Sequence, residues 1–344
     1  MFTSLPNTIS RRSLLTLALV FGFACILTTP VYAAKAGYKA YIVGNAADVP
    51  PSPNLSSGLV LMGGGTDVDA AFQWMCQRAG GGDFVVIRTT GTDAYNPYIQ
   101  QLCPQMDSVE TIVITTVTGA NSAYVSSHIQ NAEALWIAGG DQSTYTSLWR
   151  GTAVQSGVNY LLNTKGAPVG GTSAGLAVLS QFIYTGATGS VTSSQALANP
   201  FHSYVTLERD LFSSTLGAGK LYDSHFVTRD RMGRSLVFLA RIINNGWATQ
   251  PRGIGVDERT AILVLPNGTS TMAGTGAAYF LQAPGPAQVL SPGTPLTYYN
   301  IGVYKVPQGG TFNFSTWSGT GGVPYMLNVN AGALSSTQAG GSIY

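Results

Sequence analysis

Pro168-Val169-Gly170-Gly171-Thr172-Ser173-Ala174-Gly175-Leu176 is the stretch on which the fold turns. A short apolar strand runs into the pattern G-x-S-x-G, Gly171 to Gly175. Small and apolar residues of helical character follow, Leu176 to Phe182. A serine between a strand and a helix has to occupy a strained turn, and only small neighbours permit it. Such a turn pushes the hydroxyl outward and aims the helix amino terminus at any oxyanion that develops beside it. Gly and Ser are abundant here, so the pattern draws its weight from its place between strand and helix; the alternative is a turn that serves packing only.

Working outward, the same rhythm recurs. Leu59-Val60-Leu61-Met62 runs into Gly63-Gly64-Gly65, and a helix is predicted from Asp67 to Arg78. Phe84 to Ile87 reads as a strand with a helix around Tyr98–Leu102, and Thr111 to Val117 as a strand with a helix near Ser122–Asn131. Ala134 to Ala138 ends in Gly139-Gly140-Asp141-Gln142, and Val154 to Leu162 is helical. Strands alternating with helices need crossover connections and so predict an α/β fold built on a mainly parallel sheet. The loops at the carboxyl ends of such strands build the site, and every Gly-rich turn named above lies at that edge.

After about residue 262 the pattern changes to Gly, Thr, Tyr and Pro with short alternating strands, Tyr299–Val306, Thr311–Phe314 and Pro324–Val329. The expected organisation is a leader over residues 1–33, a Pro/Ser/Asn-rich arm over 34–57, an α/β catalytic domain over 58–282 and a small β-rich C-terminal extension over 283–344.

Charged residues make up 9% of the 344, against roughly 25% in an average soluble domain. Long charged helices, coiled coils and acidic or basic tails are excluded. The formal charge is +2, but the first 33 residues hold Arg11 and Arg12 and no acids; the remainder carries 15 basic and 15 acidic residues. So neutral a chain suits neither nucleic acid nor an anionic membrane.

Ser10-Arg11-Arg12-Ser13 opens an apolar run, Leu14 to Leu27, that ends in Thr28-Thr29-Pro30-Val31-Tyr32-Ala33. This is a basic n-region, a short h-region and a small-x-small cleavage site, either twin-arginine-like or general secretory. An uncleaved anchor is the alternative, and Gly22-Phe23-Ala24-Cys25 is a weak lipoprotein site. No later window of about 18 apolar residues occurs, so a secreted or periplasmic chain without stable membrane insertion is expected. Cys76 and Cys103 remain after cleavage, a disulfide candidate in an oxidising compartment; two separate buried thiols are the other possibility. With no CxxC, no HxxxH and three histidines, neither a metal nor another cofactor is expected.

A nucleophilic serine needs a positioned base. His128 lies in a polar helix and reads as surface. His202, after Asn199-Pro200-Phe201, is the second choice. His225 stands in Asp223-Ser224-His225-Phe226 beside Arg229, Arg231 and Arg234, the densest polar chemistry in the chain. The acid that orients it could be Asp223, Asp257 or Glu258. An α/β-hydrolase order, Ser…acid…His, would instead require Glu208 or Asp210 with His225.

Five stretches together resemble the cyanophycinase family of serine peptidases, the group that also contains α-aspartyl dipeptidase. They are Leu61-Met62-Gly63-Gly64-Gly65, Gly139-Gly140-Asp141-Gln142, Gly170-Gly171-Thr172-Ser173-Ala174-Gly175, the run from Asp223 and His225 to Arg234, and Gly253-Ile254-Gly255-Val256-Asp257-Glu258. The resemblance spans about residues 59–282, and the leader and terminal arms are similar to the extracellular branch. It implies a class I glutamine-amidotransferase-like three-layer sandwich. It also implies an exported serine exopeptidase that cleaves cyanophycin, a poly-aspartate carrying arginine on each β-carboxyl, to β-Asp-Arg dipeptides through an acyl-enzyme.

Carried over by position, Ser173 would be the nucleophile, His225 the base and Glu258 the orienting acid. The oxyanion hole would use the N–H of Ala174 with one from Gly64 or Gly65. Gln142, Asp223, Ser224, Arg229, Arg231 and Arg234 would hold substrate, since guanidinium groups bind carboxylates bidentately. Ser224 stands where the family pattern has Gln, and the shorter side chain removes a polar contact. Other aspartyl or isoaspartyl peptides therefore remain open as substrates, as does a catalytically silent exported binding module. Pairing into a homodimer is a further family expectation.

Overall fold

The computed structural model describes residues 37–344, apart from 46, 49 and 51. The leader expected over 1–33 lies outside the described residues. The strands, in chain order, are β1 (Tyr38–Gly44), β2 (Gly58–Met62), β3 (Asp83–Arg88), β4 (Ser108–Ile114), β5 (Ala134–Ile137) and β6 (Pro168–Thr172). Next come β7 (Phe182–Tyr184), β8 (Leu207–Arg209), β9 (Lys220–Asp223), β10 (Arg252–Val256), β11 (Thr260–Val264) and β12 (Thr269–Gly274). The last are β13 (Ala277–Gln282), β14 (Tyr298–Pro307), β15 (Thr311–Asn313), β16 (Ser318–Thr320), β17 (Val323–Asn330) and β18 (Ala333–Ser336). The helices are α1 (Asp69–Ala79), α2 (Tyr95–Leu102), α3 (Val117–Ala120), α4 (Ala123–Asn131), α5 (Gln142–Trp149), α6 (Ala153–Tyr160), α7 (Ala174–Val178), α8 (Ser193–Ala198) and α9 (Met232–Asn244).

The chain folds into an α/β structure with two sheets where one mainly parallel sheet was expected. The first has the order β1-β4-β3-β5-β6-β2-β11-β12-β15-β16, and the second β18-β17-β14-β13-β10-β9-β7-β8. Parallel pairing is confined to β4-β3-β5-β6-β2 in the first and to β7-β9-β10 in the second. The difference lies in the connections. Helices cross between the early strands, whereas β11 to β12 and β17 to β18 are joined by turns of four and two residues, which permit only antiparallel neighbours.

Both terminal segments are built into these sheets. β1, within 34–57, pairs along its whole length with β4. β14 continues the second sheet from β13, while β15 and β16 extend the first from β12. The helix expected over Leu176–Phe182 ends at Val178, and Phe182 opens β7.

Alternation along the buried strands sets the layers. In β2, Leu59 and Leu61 face a core shared with α4 to α7 and with Ile254, Val256 and Phe280 of the second sheet. Val60 and Met62 face the opposite side, where Phe72, Met75 and Ile99 of α1 and α2 pack against Phe84, Val86 and Trp136. A third cluster joins α8 and α9 to the outer face of the second sheet. Each fully buried Leu, Val, Ile or Phe stabilises the fold by about 1.5–3 kcal/mol. Cys76 in α1 and Cys103 after α2 are joined in a disulfide with a Cα–Cα distance of 6.0 Å. For a loop of this size the constraint contributes about 3–4 kcal/mol in the chain-entropy model.

Candidate active site

Because β5, β6 and β2 are parallel neighbours, the loops after them converge at one edge. These loops carry Gly139-Gly140, Ser173 and Gly63-Gly64-Gly65. Ser173 has φ 54° and ψ −113°, a conformation that costs an ordinary residue about 1–3 kcal/mol. Its neighbours hold it there. A Cβ on Gly175 would lie 2.0 Å from the Ile137 carbonyl oxygen, so only glycine lets α7 start so close to β5. The Ser173 N–H donates to the Met62 carbonyl at 3.1 Å, and the Ser173 carbonyl accepts from Ala177 N–H.

The imidazole arrives from the second sheet. β9 ends at Asp223, and His225 turns with φ 46° while its N–H donates to the Gly63 carbonyl at 2.7 Å. Its Nε2 lies 2.8 Å from Ser173 Oγ, and its Nδ1 lies 2.5 Å from Glu258 Oε1. A Cβ on Gly64 would meet the imidazole at 2.4 Å, so this glycine lets the loop lie flat on the ring. Burial lowers the proton affinity of His225. The hydrogen bond to Glu258 works the other way, the charges of Arg229 and Arg231 add to the lowering, and the net direction is down. The hydrogen bond from His225 holds the Glu258 carboxyl below its ordinary range.

Of the three candidate acids, Glu258 meets His225. Asp257 accepts instead from the N–H groups of Val227 and Thr228, and Asp223 is occupied elsewhere. Glu208 pairs with Arg150, and Asp210 accepts from Gln181, so neither serves the histidine. His128 is half-buried and pairs with Glu110 at 2.5 Å, rather than standing on the surface; His202 accepts from Tyr204 N–H in its own loop.

A cleft beside Ser173 is lined by Gln142, Tyr184, Ser224, Arg229 and Arg231, with Asp223 in its floor. Gln142 opens α5 behind the N-cap Asp141, and its amide donates to the Tyr184 carbonyl at 3.2 Å. Arg229 is exposed. Arg231 donates to the Ser224 carbonyl at 2.8 Å, and burial pushes its guanidinium down to about 10.

Two residues expected to hold substrate pair with each other in the structure. Arg234 is 3% exposed, grips both oxygens of Asp223 at 2.8 and 2.6 Å and stacks 4.7 Å from the Tyr184 ring. The Asp223 carboxylate is thereby internal as well. Burial alone would raise it, but Arg234 and Arg231 bring it below its ordinary range. Burial of the whole first half of α9 explains the outcome: every residue from Met232 to Ala240 is buried, Arg234 among them. The pair anchors Arg231 and the Tyr184 wall.

Tyr184 and Tyr344 carry no motif that marks them in the sequence. Tyr344 Oη accepts from Met232 N–H at 2.9 Å and donates to Asp230 at 2.8 Å, while its ring lies edge-on to Phe226 and Tyr279. It thus clasps the turn that carries Arg229 and Arg231.

Peptidase family S51 matches residues 59–214, from the first parallel strand past Ser173. Over 277 residues the chain is 25% identical to the cyanophycinases of Synechococcus elongatus and of Thermosynechococcus vestitus (strain NIES-2133 / IAM M-273 / BP-1), covering 75% of this chain and 80% of each relative. Over these stretches the chain is similar to peptidase family S51 and to the cyanophycinases. These similarities support a serine-type peptidase, and with it a peptide substrate. A crystal structure of a peptidase from an acI-B1 Actinobacterium shares the fold with a TM-score of 0.50 at 14% identity, over 76% of this chain and 98% of that one.

Proposed function

We propose that this chain is an exported peptidase of the S51 type that hydrolyses cyanophycin-type polymers, releasing β-Asp-Arg dipeptides through an acyl-enzyme on Ser173. His225 Nε2 takes the Ser173 proton as Oγ attacks the peptide carbonyl carbon. The oxygen of the tetrahedral intermediate is met by the Ala174 N–H with one from Gly64 or Gly65. The protonated His225 then delivers its proton to the leaving amine as the C–N bond breaks. A water, deprotonated by the same imidazole, cleaves the ester and restores Ser173. Glu258 keeps Nδ1–H oriented and stabilises the imidazolium.

One observation carries the reading: Ser173 Oγ, His225 and Glu258 are linked at 2.8 and 2.5 Å beside Arg229 and Arg231. A polymer with a free carboxylate on every unit suits guanidinium groups at the cleft. The Cys76–Cys103 disulfide accords with an oxidising compartment outside the cytosol. Incubation of the purified protein with insoluble cyanophycin should release soluble β-Asp-Arg. Ser224, whose hydroxyl lies 3.2 Å from Arg231, favours a second reading, in which other aspartyl or isoaspartyl peptides are the substrates. Intact polymer together with cleavage of such peptides would establish that reading in place of the first.

A further inference from the structure

The Gly63-Gly64-Gly65 loop has a second neighbour that the catalytic chemistry leaves unused. Immediately beyond it lies a cavity of about 340 Å³, lined by Thr66, Asp67 and Asp69 at the start of α1 and by Ala94, Tyr95 and Tyr98 at the start of α2. The helices α1 and α2 pack on one face of the first sheet, whereas α5 and α7, which border the arginine cleft, pack on the other. The cavity and the cleft therefore flank the Ser173 edge from opposite sides.

Gly65 lies against Glu258, where an added Cβ would come within 3.1 Å of the Glu258 Cβ. Asp67 is two residues further on, so its Cα lies at most about 7 Å from that of Gly65. A substrate residue that passes over Gly65 can therefore place an arginine- or lysine-length side chain at Asp67.

The walls of the cavity are aromatic and its charge is negative. The Tyr95 and Tyr98 rings are 6.5 Å apart and tilted by 51°, with Phe72 edge-on to Tyr98 behind them. Tyr98 Oη donates to Asp69 at 2.6 Å, which fixes ring and carboxylate together. Arg88 approaches the Tyr95 ring at 5.9 Å, so one guanidinium already uses this aromatic surface, and two carboxylates against that one cation leave a negative charge in excess. Asp67 is held partly out of water, and burial raises its carboxyl above the ordinary range. A desolvated carboxylate beside aromatic faces binds a cation by ion pairing and by cation–π attraction at once, and a flat guanidinium uses both.

We propose that this cavity is a subsite for a cationic side chain of the peptide substrate, a guanidinium before an ammonium, with its charge at Asp67 and Asp69 and its plane against Tyr95 or Tyr98. The proposal rests on Ser173 marking the scissile bond. It makes the site bipolar: a basic cleft for carboxylates on one side of the nucleophile and an acidic, aromatic one for cations on the other.

The test uses the full chain carrying Ser173→Ala and two matched aspartyl peptides, one bearing arginine and the other its neutral isostere citrulline. Calorimetry should show the arginine peptide binding about tenfold tighter, the size expected of a partly desolvated cation–π and ion-pair contact. Adding Asp67→Asn or Asp69→Asn, each nearly isosteric, should each shrink that preference severalfold, and a thermal melt checks that the fold is kept. Equal binding of the two peptides, or a preference that survives both substitutions, would overturn the subsite. Failure of the wild-type enzyme to hydrolyse either peptide, with the binding preference intact, would count against the catalytic reading alone.

Discussion

Ser173 reaches the site from a loop between a parallel strand and a helix of the first sheet, whereas His225 and Glu258 reach it from turns of the mixed second sheet. On the first side, position follows from local rules: a strand, a run of glycines, a helix, repeated after β2, β5 and β6. On the second, His225, Asp230 and Arg259 all carry positive φ, at 46°, 46° and 56°. These turns are held by distant partners. The contrast teaches that the nucleophile's motif can be read along the chain, whereas its base is found only from the partners that surround it in space.

Substitutions break the comparison in decreasing order of effect. Ser173→Ala, on the local side, should lower kcat by about 10⁴- to 10⁶-fold, measured by release of soluble peptide, because covalent catalysis is lost. A variant that retains a tenth of the activity would remove Ser173 from the role. Glu258→Gln leaves the shape of the second side but frees the imidazole, and a fall of about 10³- to 10⁴-fold is expected. Asp223→Asn tests whether that side depends on its buried ion pair. Denaturant unfolding should show a loss of about 3–5 kcal/mol, since Arg234 would keep a buried charge with no carboxylate.

The pH profile sharpens the same point. His225 acts as base only when neutral, and its environment lowers its proton affinity. The acid limb of kcat/KM should therefore be centred below the ordinary histidine value of about 6.5, with activity rising as pH increases through it and level near neutrality. A limb above that value would mean that the Glu258 hydrogen bond outweighs burial. The smallest effect belongs to Tyr344→Phe, which keeps the ring against Phe226 and Tyr279 but deletes two hydrogen bonds. KM for peptide should rise several-fold, in line with about 0.5–1.5 kcal/mol per bond, with kcat nearly unchanged.

The alternating strands and helices from Leu59 to Ser173 were legible because crossover connections follow from local periodicity, and Ser173, His225 and Glu258 could be marked by motif and resemblance. Their approach to within hydrogen-bond distance could not, because it depends on β9 and β10 lying parallel in a sheet that no local pattern announces. Arg234 shows the limit most clearly. In sequence it is a third arginine beside a histidine, and only the burial of the first half of α9 brings it onto Asp223. The two-sheet arrangement was hidden for a related reason: strands after residue 260 choose partners by turn length, and apolar alternation does not say which sheet they join. The cavity beyond Gly65 combines α1 with α2, so its tyrosines and aspartates read separately as ordinary helix starts.

The clasp formed by Tyr344 also bears on the order of assembly. Its hydroxyl meets Met232 across 112 positions of chain, and contacts of such long separation close late in folding because the loop entropy must first be overcome. The corner that exposes Ser173 closes over a comparable span, since its N–H meets the Met62 carbonyl and β6 pairs with β2. Nucleophile and arginine turn would therefore mature together, and a partly folded chain would own neither a set serine nor a grip on peptide.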